Sequence, residues 1–415
     1  MSKKYNVLLL AYACEPFKGS EPGVGWNFAI EMSKKHNIWV LTRKNNKETI
    51  EKEISKIGSD NINFIYFDLP SKLMLIKKLF GVQFYYLLWQ FFSFIPYIKI
   101  SKIIKFDLIH HLTFNQYRSL SFAFFSKVPF VIGPVGGAEC INKAFFKDLN
   151  MKTKIKEFWR KLGLDILLFK FLVFIGRNRK TLVFSSDENY KRLKINNKIT
   201  KSIVIPAIAI NKQDFNFNDE SIKNNDKFTI VYVGRAEDWK GLSLFLKSLN
   251  SAFNQSDKIL IKLIGIRHYS EKLKIKEWIS LTKLSDKIEL IDFIQRDKLL
   301  QIFRYANLSV YPAFRDSGSM AVLESCALGC PVICFAVGGQ DIFPDEIIFK
   351  LKVSSSSYQE NVFNLAEKLK WAYNSKQELN NIGLKAKDYV YSEFTWSKKI
   401  LDFVDVYSDL IEINK

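Results

Sequence analysis

The sequence predicts an α/β protein made of two Rossmann-like domains, each built on a doubly wound parallel sheet. Short apolar runs alternate with segments of helical length, which is typical of βαβ units. After a polar stretch at 211–227, rich in Asn and Asp, the same alternation begins again. The length of 415 residues also suits two domains better than one.

The apolar runs define the expected strands and domains. The first series predicts strands at 7–12, 38–42, 62–67, 108–111, 130–132 and 182–185, with a first helix at about 26–35. The second series predicts strands at 228–233, 259–264, 288–291, 308–311 and 332–335. We therefore expect a first domain over 1–210 and a second over 211–395, joined at the polar stretch.

Composition limits the classes of protein that fit. Hydrophobic residues make up 48% and charged residues 25%, which excludes a disordered or fibrous chain. The 62 Lys and Arg against 42 Asp and Glu give a net charge of +20. Such a charge favours anionic partners, namely nucleic acid, an anionic membrane or phosphorylated small molecules.

Targeting and metal-binding signals are weak. The basic start at 1–4 leads directly into an apolar strand rather than a signal peptide, so we expect a cytoplasmic protein. Five cysteines are too few for a disulfide framework. Cys326, Cys330 and Cys334 have no neighbouring His or Asp to complete a zinc set, so we expect them to be buried and predict no metal site.

Two stretches, 71–106 and 158–180, combine aromatic and apolar residues with flanking Lys and Arg. The apolar run at 82–98 is about seventeen residues long, the lower limit for a spanning helix, and Gln90 and Pro96 are among the residues that interrupt it. Two interpretations remain open: helices that lie on a membrane surface, or amphipathic helices buried against the first sheet.

A glycine and two cations follow the first strand of the second series. Gly234 ends the run 231–234, and Arg235 and Lys240 come before the next predicted helix. A glycine at a strand end lets a ligand approach the backbone, and two cations can converge on one diphosphate. Ligands bind at the carboxyl ends of strands in doubly wound sheets, although turns of this kind also occur on ordinary surfaces.

A second motif follows the strand at 308–311. Asp316 precedes a small, flexible turn, and Glu324 stands about two turns inside the helix that opens there. The N–H groups at 318–322 could hold an anion, while the two acids could accept hydrogen bonds from sugar hydroxyls. The alternative is that Asp316 only caps the helix and Glu324 lies on a solvated face, but apolar neighbours of Glu324 disfavour this.

These two motifs, with the run 327–333 that follows, resemble the donor-binding half of retaining glycosyltransferases of GT-B architecture, glycosyltransferase family 4, of the surface-polysaccharide type. The resemblance implies a hexosyltransferase-type enzyme with two domains facing a cleft. It implies a nucleotide sugar as substrate, no cofactor and no metal.

The resemblance also implies roles for single residues. Arg235 and Lys240 would grip the diphosphate and stabilise its charge as it leaves. Glu324 would bind the ribose hydroxyls. Asp316 stands where the family usually has Glu and would hold hydroxyls of the transferred sugar. The other donor-binding positions are Gly234, Ser317, Gly318, Ser319, Met320 and Val322.

Parts of the first half resemble the same family. The segment that follows the first strand resembles a glycine-rich loop that faces the donor phosphates and the acceptor, with Gly19, Ser20, Glu21, Gly23 and Gly25. A dinucleotide-binding loop is the alternative, but the spacing is not G-x-G-x-x-G and no acid ends the second strand.

The segment 107–114 resembles the family's Asp-x-x-His-x-His strand end. The second His position is Leu112 here, so the catalytic role near the sugar could pass to His111, with His110 beside it. A structural His pair is the alternative.

Further along, Arg118, Gly136, Gly137 and Glu139 resemble acceptor-side residues of the surface-polysaccharide subgroup. The amphipathic helix expected over 396–415 would pack back on the first domain, as in GT-B enzymes.

The resulting interpretation is a retaining transferase that moves a sugar to a saccharide acceptor, expected to be carried by an isoprenoid lipid. It would work at the inner face of the cell membrane in polysaccharide or glycolipid biosynthesis. One alternative is a nucleotide-sugar epimerase or hydrolase of the same fold, or a catalytically inactive relative. Another is a basic nucleic-acid-binding protein, although no recognition helix or RNA-binding motif is present.

Overall fold

The computed structural model describes residues 3–119, 121–175, 179–195, 200–215, 226–266 and 268–415, with only Leu73 and Leu79 described as side chains within 71–80. The chain divides into two compact units. The first comprises Met1–Ala138, Gly163–Ala209 and Trp396–Lys415, and the second comprises Glu139–Leu162 and Ile210–Thr395.

One segment lies in a different unit from the one that the sequence predicts. Residues 139–162, expected in the first domain, belong to the second unit. The reason is apolar packing: Phe145 is fully buried and its ring stacks on Phe314 with centroids 4.1 Å apart, while Ile141 and Leu149 join the same core. Most of the predicted 211–227 linker, at 216–225, lies outside the described residues.

The first unit is built on a parallel sheet with the strand order β3-β2-β1-β4-β5-β6-β7. The chain adds strands to one side of β1 as far as β3 and then to the other side, starting with β4. The carboxyl ends of β1 and β4 are therefore the topological switch point. The strands are β1 Asn6–Leu10, β2 Asn37–Thr42, β3 Ile62–Tyr66, β4 Leu108–His111, β5 Phe130–Val135, β6 Lys180–Phe184 and β7 Lys201–Val204.

The second unit repeats this plan with the parallel order β10-β9-β8-β11-β12-β13, and its switch point lies between β8 and β11. Most strands are continuous apolar runs because helices cover both faces of a parallel sheet. The strands are β8 Phe228–Val233, β9 Ile259–Ile266, β10 Ile288–Asp292, β11 Leu308–Tyr311, β12 Val332–Phe335 and β13 Phe349–Leu351.

The helices connect the strands in the order expected of βαβ units. Their bounds are α1 Ser20–Ser33, α2 Lys47–Ile57, α3 Ser71–Phe92, α4 Phe94–Ser101, α5 Met151–Leu162, α6 Leu164–Ile175, α7 Asp187–Leu193, α8 Leu242–Ala252, α9 Tyr269–Ser280, α10 Arg296–Tyr305, α11 Met320–Ala327, α12 Tyr358–Asn374, α13 Lys376–Glu393 and α14 Trp396–Ile413. Helix α14 belongs to the first unit and packs on α1, where Phe403 meets Phe28 edge to face with ring centroids 5.0 Å apart.

The helices of the two aromatic stretches bury apolar side chains on one face and expose apolar side chains on the other. In α3, which is interrupted at Gly81, Tyr85, Tyr86 and Trp89 are buried against the first sheet. The opposite sides of α3, α4 and α6 expose large apolar side chains, with Phe91 72% and Leu167 65% exposed. Within the described residues, no helix combines the length and apolar composition needed to cross a bilayer.

Candidate functional site

Lys240 and Asp316 meet at the switch point of the second unit. Lys240 ends a short 3-10 helix that follows β8, and Asp316 lies just beyond β11, the neighbouring strand. Lys240 Nζ donates to Asp316 Oδ2 over 2.7 Å and to the Tyr311 hydroxyl over 2.5 Å. The Tyr311 hydroxyl also donates to Asp316 Oδ2. Both charged side chains are largely enclosed, since Lys240 is 12% and Asp316 16% exposed.

This cluster keeps Asp316 ionised. Burial alone would raise the pKa of the carboxyl, but Lys240 and the hydrogen bonds from Tyr311 and Gly318 outweigh it and lower the pKa to about 2. Burial and the neighbouring Asp316 charge raise the pKa of Tyr311 well above its usual range. At neutral pH the site therefore holds a carboxylate at Asp316 and a protonated phenol at Tyr311.

The predicted flexible turn is ordered by the same carboxylate. Asp316 Oδ1 accepts from the N–H groups of Gly318, over 3.1 Å, and Ser319, over 3.4 Å. The N–H groups of 318–322 were expected to face an anion, but those of Gly318 and Ser319 donate to Asp316 instead. These two contacts agree with the alternative in which Asp316 caps the helix. Ser319, the residue before α11, has a positive φ of 25°, and its Oγ is buried without a hydrogen-bond partner in the described part of the chain.

The first turn of α11 begins at Met320, and Val322 is buried behind it. The N–H groups at the start of a helix have no intrahelical acceptor. The turn that contains Ser317 therefore leads into the kind of backbone site that holds a phosphate.

Arg235 is paired with an acid other than Asp316. Its side chain is 60% exposed and pairs with Glu237 over 3.2 Å, an exposed contact of small energetic value. Gly234 packs against a side chain, because a Cβ there would lie 2.9 Å from the Tyr232 hydroxyl oxygen. Gly241, at φ 73°, closes the segment, and a Cβ there would lie 2.0 Å from the Pro312 carbonyl oxygen. Gly241 thus brings the segments after β8 and β11 into contact.

Glu324 is buried, as its apolar neighbours suggest, and is held by an arginine. Arg296 Nε donates to Glu324 Oε1 over 2.6 Å, and the Arg296 guanidinium also bonds Asp214 over 2.9 Å. Burial raises the pKa of Glu324, and Arg296 opposes that effect. The solvated-face alternative for Glu324 is therefore wrong.

In the first unit, the predicted glycine-rich loop is partly helical. Helix α1 begins at Ser20 rather than near residue 26, with Gly19 as its N-terminal flanking residue. A Cβ on Gly23 or Gly25 would lie 2.0 or 2.1 Å from a carbonyl oxygen of the segment after β1, so these glycines let α1 pack directly on that segment. Glu21 accepts from the Phe114 N–H over 3.2 Å, which joins the segments after β1 and β4 at the switch point of this unit.

His110 and His111 are both enclosed by protein groups. His110 donates from Nε2 to the Gly133 carbonyl over 2.8 Å and accepts at Nδ1 from the Tyr407 hydroxyl over 2.6 Å. His111 Nε2 lies 2.7 Å from the Tyr86 hydroxyl and 3.0 Å from Gln90 Nε2. Burial lowers the pKa values to about 4 for His110 and about 3 for His111. In this structure the pair matches the structural alternative, and the surroundings of His111 do not support the predicted catalytic role.

The remaining predicted acceptor residues are divided between the two units. Arg118 pairs with Asp165 over 2.5 Å at the surface of the first unit. Gly136 is hydrogen bonded to the backbone of 115–117, and Gly137, at φ 88°, follows it. Glu139 is buried in the second unit, where its side chain lies close to Gly338.

Three residues that contact Lys240, Asp316 or Glu324 are not among the site residues predicted from the sequence. Tyr311 ends the strand before Asp316, and its position at the carboxyl end of β11 was a usable signal. Trp239 lies under Lys240, with Nζ 4.4 Å from the ring centroid, and precedes it directly in the sequence. Arg296 gives no such signal, because it reaches Glu324 from a separate helix 28 residues earlier.

The described residues contain no group of three or more His, Cys, Asp or Glu side chains placed to hold a metal ion. The five cysteines are free, and Cys326, Cys330 and Cys334 are buried as predicted.

Comparison with known proteins gives a family match for part of the chain. Residues 213–389 match the family described as glycosyl transferases group 1. An uncharacterized glycosyltransferase of Methanocaldococcus jannaschii is 24% identical over 207 residues, which cover 49% of this chain and 50% of that protein. The chain thus spans about half the length of this curated relative.

Solved structures match along nearly the whole chain. Sucrose-phosphate synthase from Thermosynechococcus elongatus has a TM-score of 0.67 at 16% identity, covering 99% of this chain and 100% of that one. Anabaena HepE, solved in complex with UDP-glucose, has a TM-score of 0.63 at 12% identity, covering 98% and 100%. The predicted fold class is confirmed: two Rossmann-like parallel-sheet domains, as in GT-B glycosyltransferases.

Proposed function

We propose that this chain is a glycosyltransferase that acts on a nucleotide sugar. The GT-B fold supports this, as does the match of residues 213–389 in the second unit to the glycosyl transferases group 1 family. One observation carries the proposal: the ionised Lys240–Asp316 pair and the start of α11 lie together at the switch point between β8 and β11. That edge is where doubly wound sheets bind ligands, and its groups suit phosphate and hydroxyl oxygens.

The donor would be held by charges of both signs. Arg235, exposed and only weakly paired, and Lys240 would contact the diphosphate, with the start of α11 as a further anion site. Asp316 would accept hydrogen bonds from sugar hydroxyls, because its low pKa keeps it an acceptor at neutral pH. Glu324, oriented by Arg296, would accept from ribose hydroxyls.

The reaction we propose retains the anomeric configuration. The bond from the anomeric carbon to the diphosphate oxygen breaks, and a bond to the acceptor oxygen forms on the same face. The acceptor proton passes to the departing diphosphate. Arg235 and Lys240 would stabilise the negative charge that develops on that diphosphate, so we propose that no metal is required. Transfer at an unchanged rate in EDTA, with the product anomer assigned by NMR, would support both points; metal dependence or an inverted product would refute the corresponding one.

The acceptor would bind the first unit and be carried by a lipid. Helix α6 exposes Leu164, Leu167, Leu168 and Phe171, all more than half exposed, and basic residues surround this surface in the sequence. An apolar helix face with basic neighbours suits the surface of an anionic membrane. The product would then belong to polysaccharide or glycolipid assembly.

Membrane association can be tested by flotation with vesicles. We expect the chain to float with phosphatidylglycerol vesicles, and a Leu167→Asp, Phe171→Asp double variant to stay behind. Leu281→Asp, at a position 77% exposed in the second unit, is the matched control and should float. Equal flotation of all three proteins would refute a role for α6.

Donor binding is tested by thermal shift against a panel of nucleotide sugars and nucleotides, with UDP-glucose first because of the HepE complex. Ligand at 100 times its dissociation constant stabilises the native state by about 2.7 kcal/mol. We expect one donor class to raise the melting temperature of the wild type but not of Arg235→Ala or Glu324→Ala. Lys258→Ala, at the amino end of β9, should respond as the wild type does. A folded wild type that responds to no donor would refute the proposal.

A further inference from the structure

A cavity of about 820 Å³ lies in the first unit at the carboxyl ends of β2 and β3. Its walls are mainly apolar and include Phe67, Leu73, Phe92 and Ile95, while Lys44 and Asn45 lie at its border. The volume is within the range of roughly 300–1,000 Å³ that small-molecule sites occupy. None of the catalytic, donor-binding or acceptor residues predicted from the sequence lines this cavity.

The charge at the cavity is positive. Asp68, the acid in its lining, is already neutralised, because Arg43 Nε donates to it over 3.2 Å and the Tyr85 hydroxyl over 2.7 Å. Lys44 is exposed and forms no ion pair with the described residues. A ligand in the cavity would therefore meet an apolar wall and one unpaired ammonium group.

The cavity wall continues into an exposed apolar surface. Ile95, in α4, is 48% exposed. Phe94 and Ile98 of the same helix and Phe91 at the end of α3 are exposed as well. Between residues 71 and 138 the sequence contains eight Lys and Arg but one acid, Asp107. A molecule that combines a hydrocarbon chain with an anionic headgroup complements both the shape and the charge.

We propose that this cavity binds the hydrocarbon chain of a lipid phosphate, with the phosphate at Lys44. The inference rests on the proposed function, since such a lipid is the carrier of the acceptor saccharide. It narrows the acceptor to lipids whose chain enters the protein, rather than lipids that only anchor the saccharide in the bilayer.

The test is direct binding of farnesyl phosphate to the full chain in the absence of donor, measured by calorimetry. We expect the wild type to bind it, farnesol to bind at least tenfold more weakly, and inorganic phosphate not to bind detectably. Ile95→Asp places a charge in the apolar wall and should weaken binding at least tenfold. Lys44→Gln should bring farnesyl phosphate to the affinity of farnesol.

Matched variants distinguish binding in the cavity from binding to the exposed surface around it. Ile98→Asp lies one turn further along α4 and outside the cavity lining, and Lys52→Gln is an exposed lysine on α2; both should bind as the wild type does. Because Ile95 is half exposed, Ile95→Asp should fold, and its thermal response to a nucleotide sugar should match the wild type.

Two outcomes would overturn the inference. Equal loss in Ile95→Asp and Ile98→Asp would assign the lipid to the membrane-facing surface instead. A wild type that does not bind farnesyl phosphate but forms a dimer disrupted by Ile95→Asp would assign the cavity to a second copy of the chain. In both cases a retained donor response would leave the proposed function standing, whereas lipid binding without any donor response would refute the proposed function alone.

Discussion

Replacing Asp316 by Asn should remove a pH-dependent part of the stability of the second unit. Burial disfavours the Asp316 carboxylate, but Lys240 and the Tyr311 and Gly318 hydrogen bonds lower its pKa from 3.8 to about 2. At about 1.36 kcal/mol per pKa unit, a lowering of this size corresponds to on the order of 2 kcal/mol of stability.

The sign follows from the lowered pKa. The folded state holds the Asp316 proton more weakly than the unfolded state, so the stabilisation is fully present above pH 4 and is lost as the pH falls toward 2. The assay is urea unfolding of both proteins from pH 7 to pH 2.5, followed by tryptophan fluorescence, because Trp239 lies under Lys240. The difference in the free energy of unfolding between wild type and Asp316→Asn should shrink by most of those 2 kcal/mol over this range.

Asp341→Asn is the matched control, since Asp341 is 59% exposed and its partner Lys350 keeps a second pair with Asp345. It should change the unfolding free energy by less than about 1 kcal/mol. A difference for Asp316→Asn that stays the same from pH 7 to pH 2.5 would show that the carboxylate is not held by the Lys240 cluster, and would refute the electrostatic reasoning.

The other predictions concern Gly241, Lys399 and Arg296. Gly241→Ala should destabilise the protein by about 2 kcal/mol more than Gly58→Ala, as measured by urea unfolding, because both glycines have positive φ but only at Gly241 would a Cβ meet backbone. Lys399→Met should stabilise the protein at pH 7 by on the order of 2 kcal/mol and remove the rise in stability between pH 7 and 10, since burial lowers the Lys399 pKa to about 7 and the unfolded state binds the extra proton there. Arg296→Met should weaken nucleotide-sugar binding at least tenfold by calorimetry, because it leaves Glu324 buried without its cation.

Each of these has its own control. Equal costs at Gly241 and Gly58 would contradict the close approach of the segments after β8 and β11. Lys398→Met, at the exposed neighbouring position, should leave the pH dependence unchanged, and an unchanged profile in Lys399→Met would show that Lys399 is not buried as described. Unchanged donor binding in Arg296→Met would contradict the proposal that Glu324, oriented by Arg296, binds the ribose hydroxyls.

The meeting of Lys240 and Asp316 could be predicted from the sequence because both residues follow strand ends. Lys240 and Asp316 follow neighbouring parallel strands, and parallel strands bring their carboxyl ends to one edge. Arg296 was not predictable, since a long-range pair to a buried Glu leaves no spacing pattern in its own helix.

Two predictions in the first half differ from the surroundings that the structure shows, and both differences have one physical cause. Helix α1 begins at Ser20 rather than near residue 26, because Gly23 and Gly25, which resemble loop residues in sequence, allow helix packing in the fold. His111 resembles a site residue because it ends a strand at the switch point, yet α3 covers it with Tyr86 and Gln90. In both cases a tertiary contact decides what a local pattern leaves open.

The central claim is that the groups after β8 and β11 activate a nucleotide sugar, and the release of nucleoside diphosphate tests it most directly. The measurement is the rate of release from the donor selected by thermal shift, with anionic vesicles that carry a lipid-linked saccharide. We predict release by the wild type that falls at least a hundredfold in Lys240→Ala and is unchanged in Lys258→Ala. Release that persists in Lys240→Ala, or a wild type that binds the donor but releases no diphosphate, would contradict the claim.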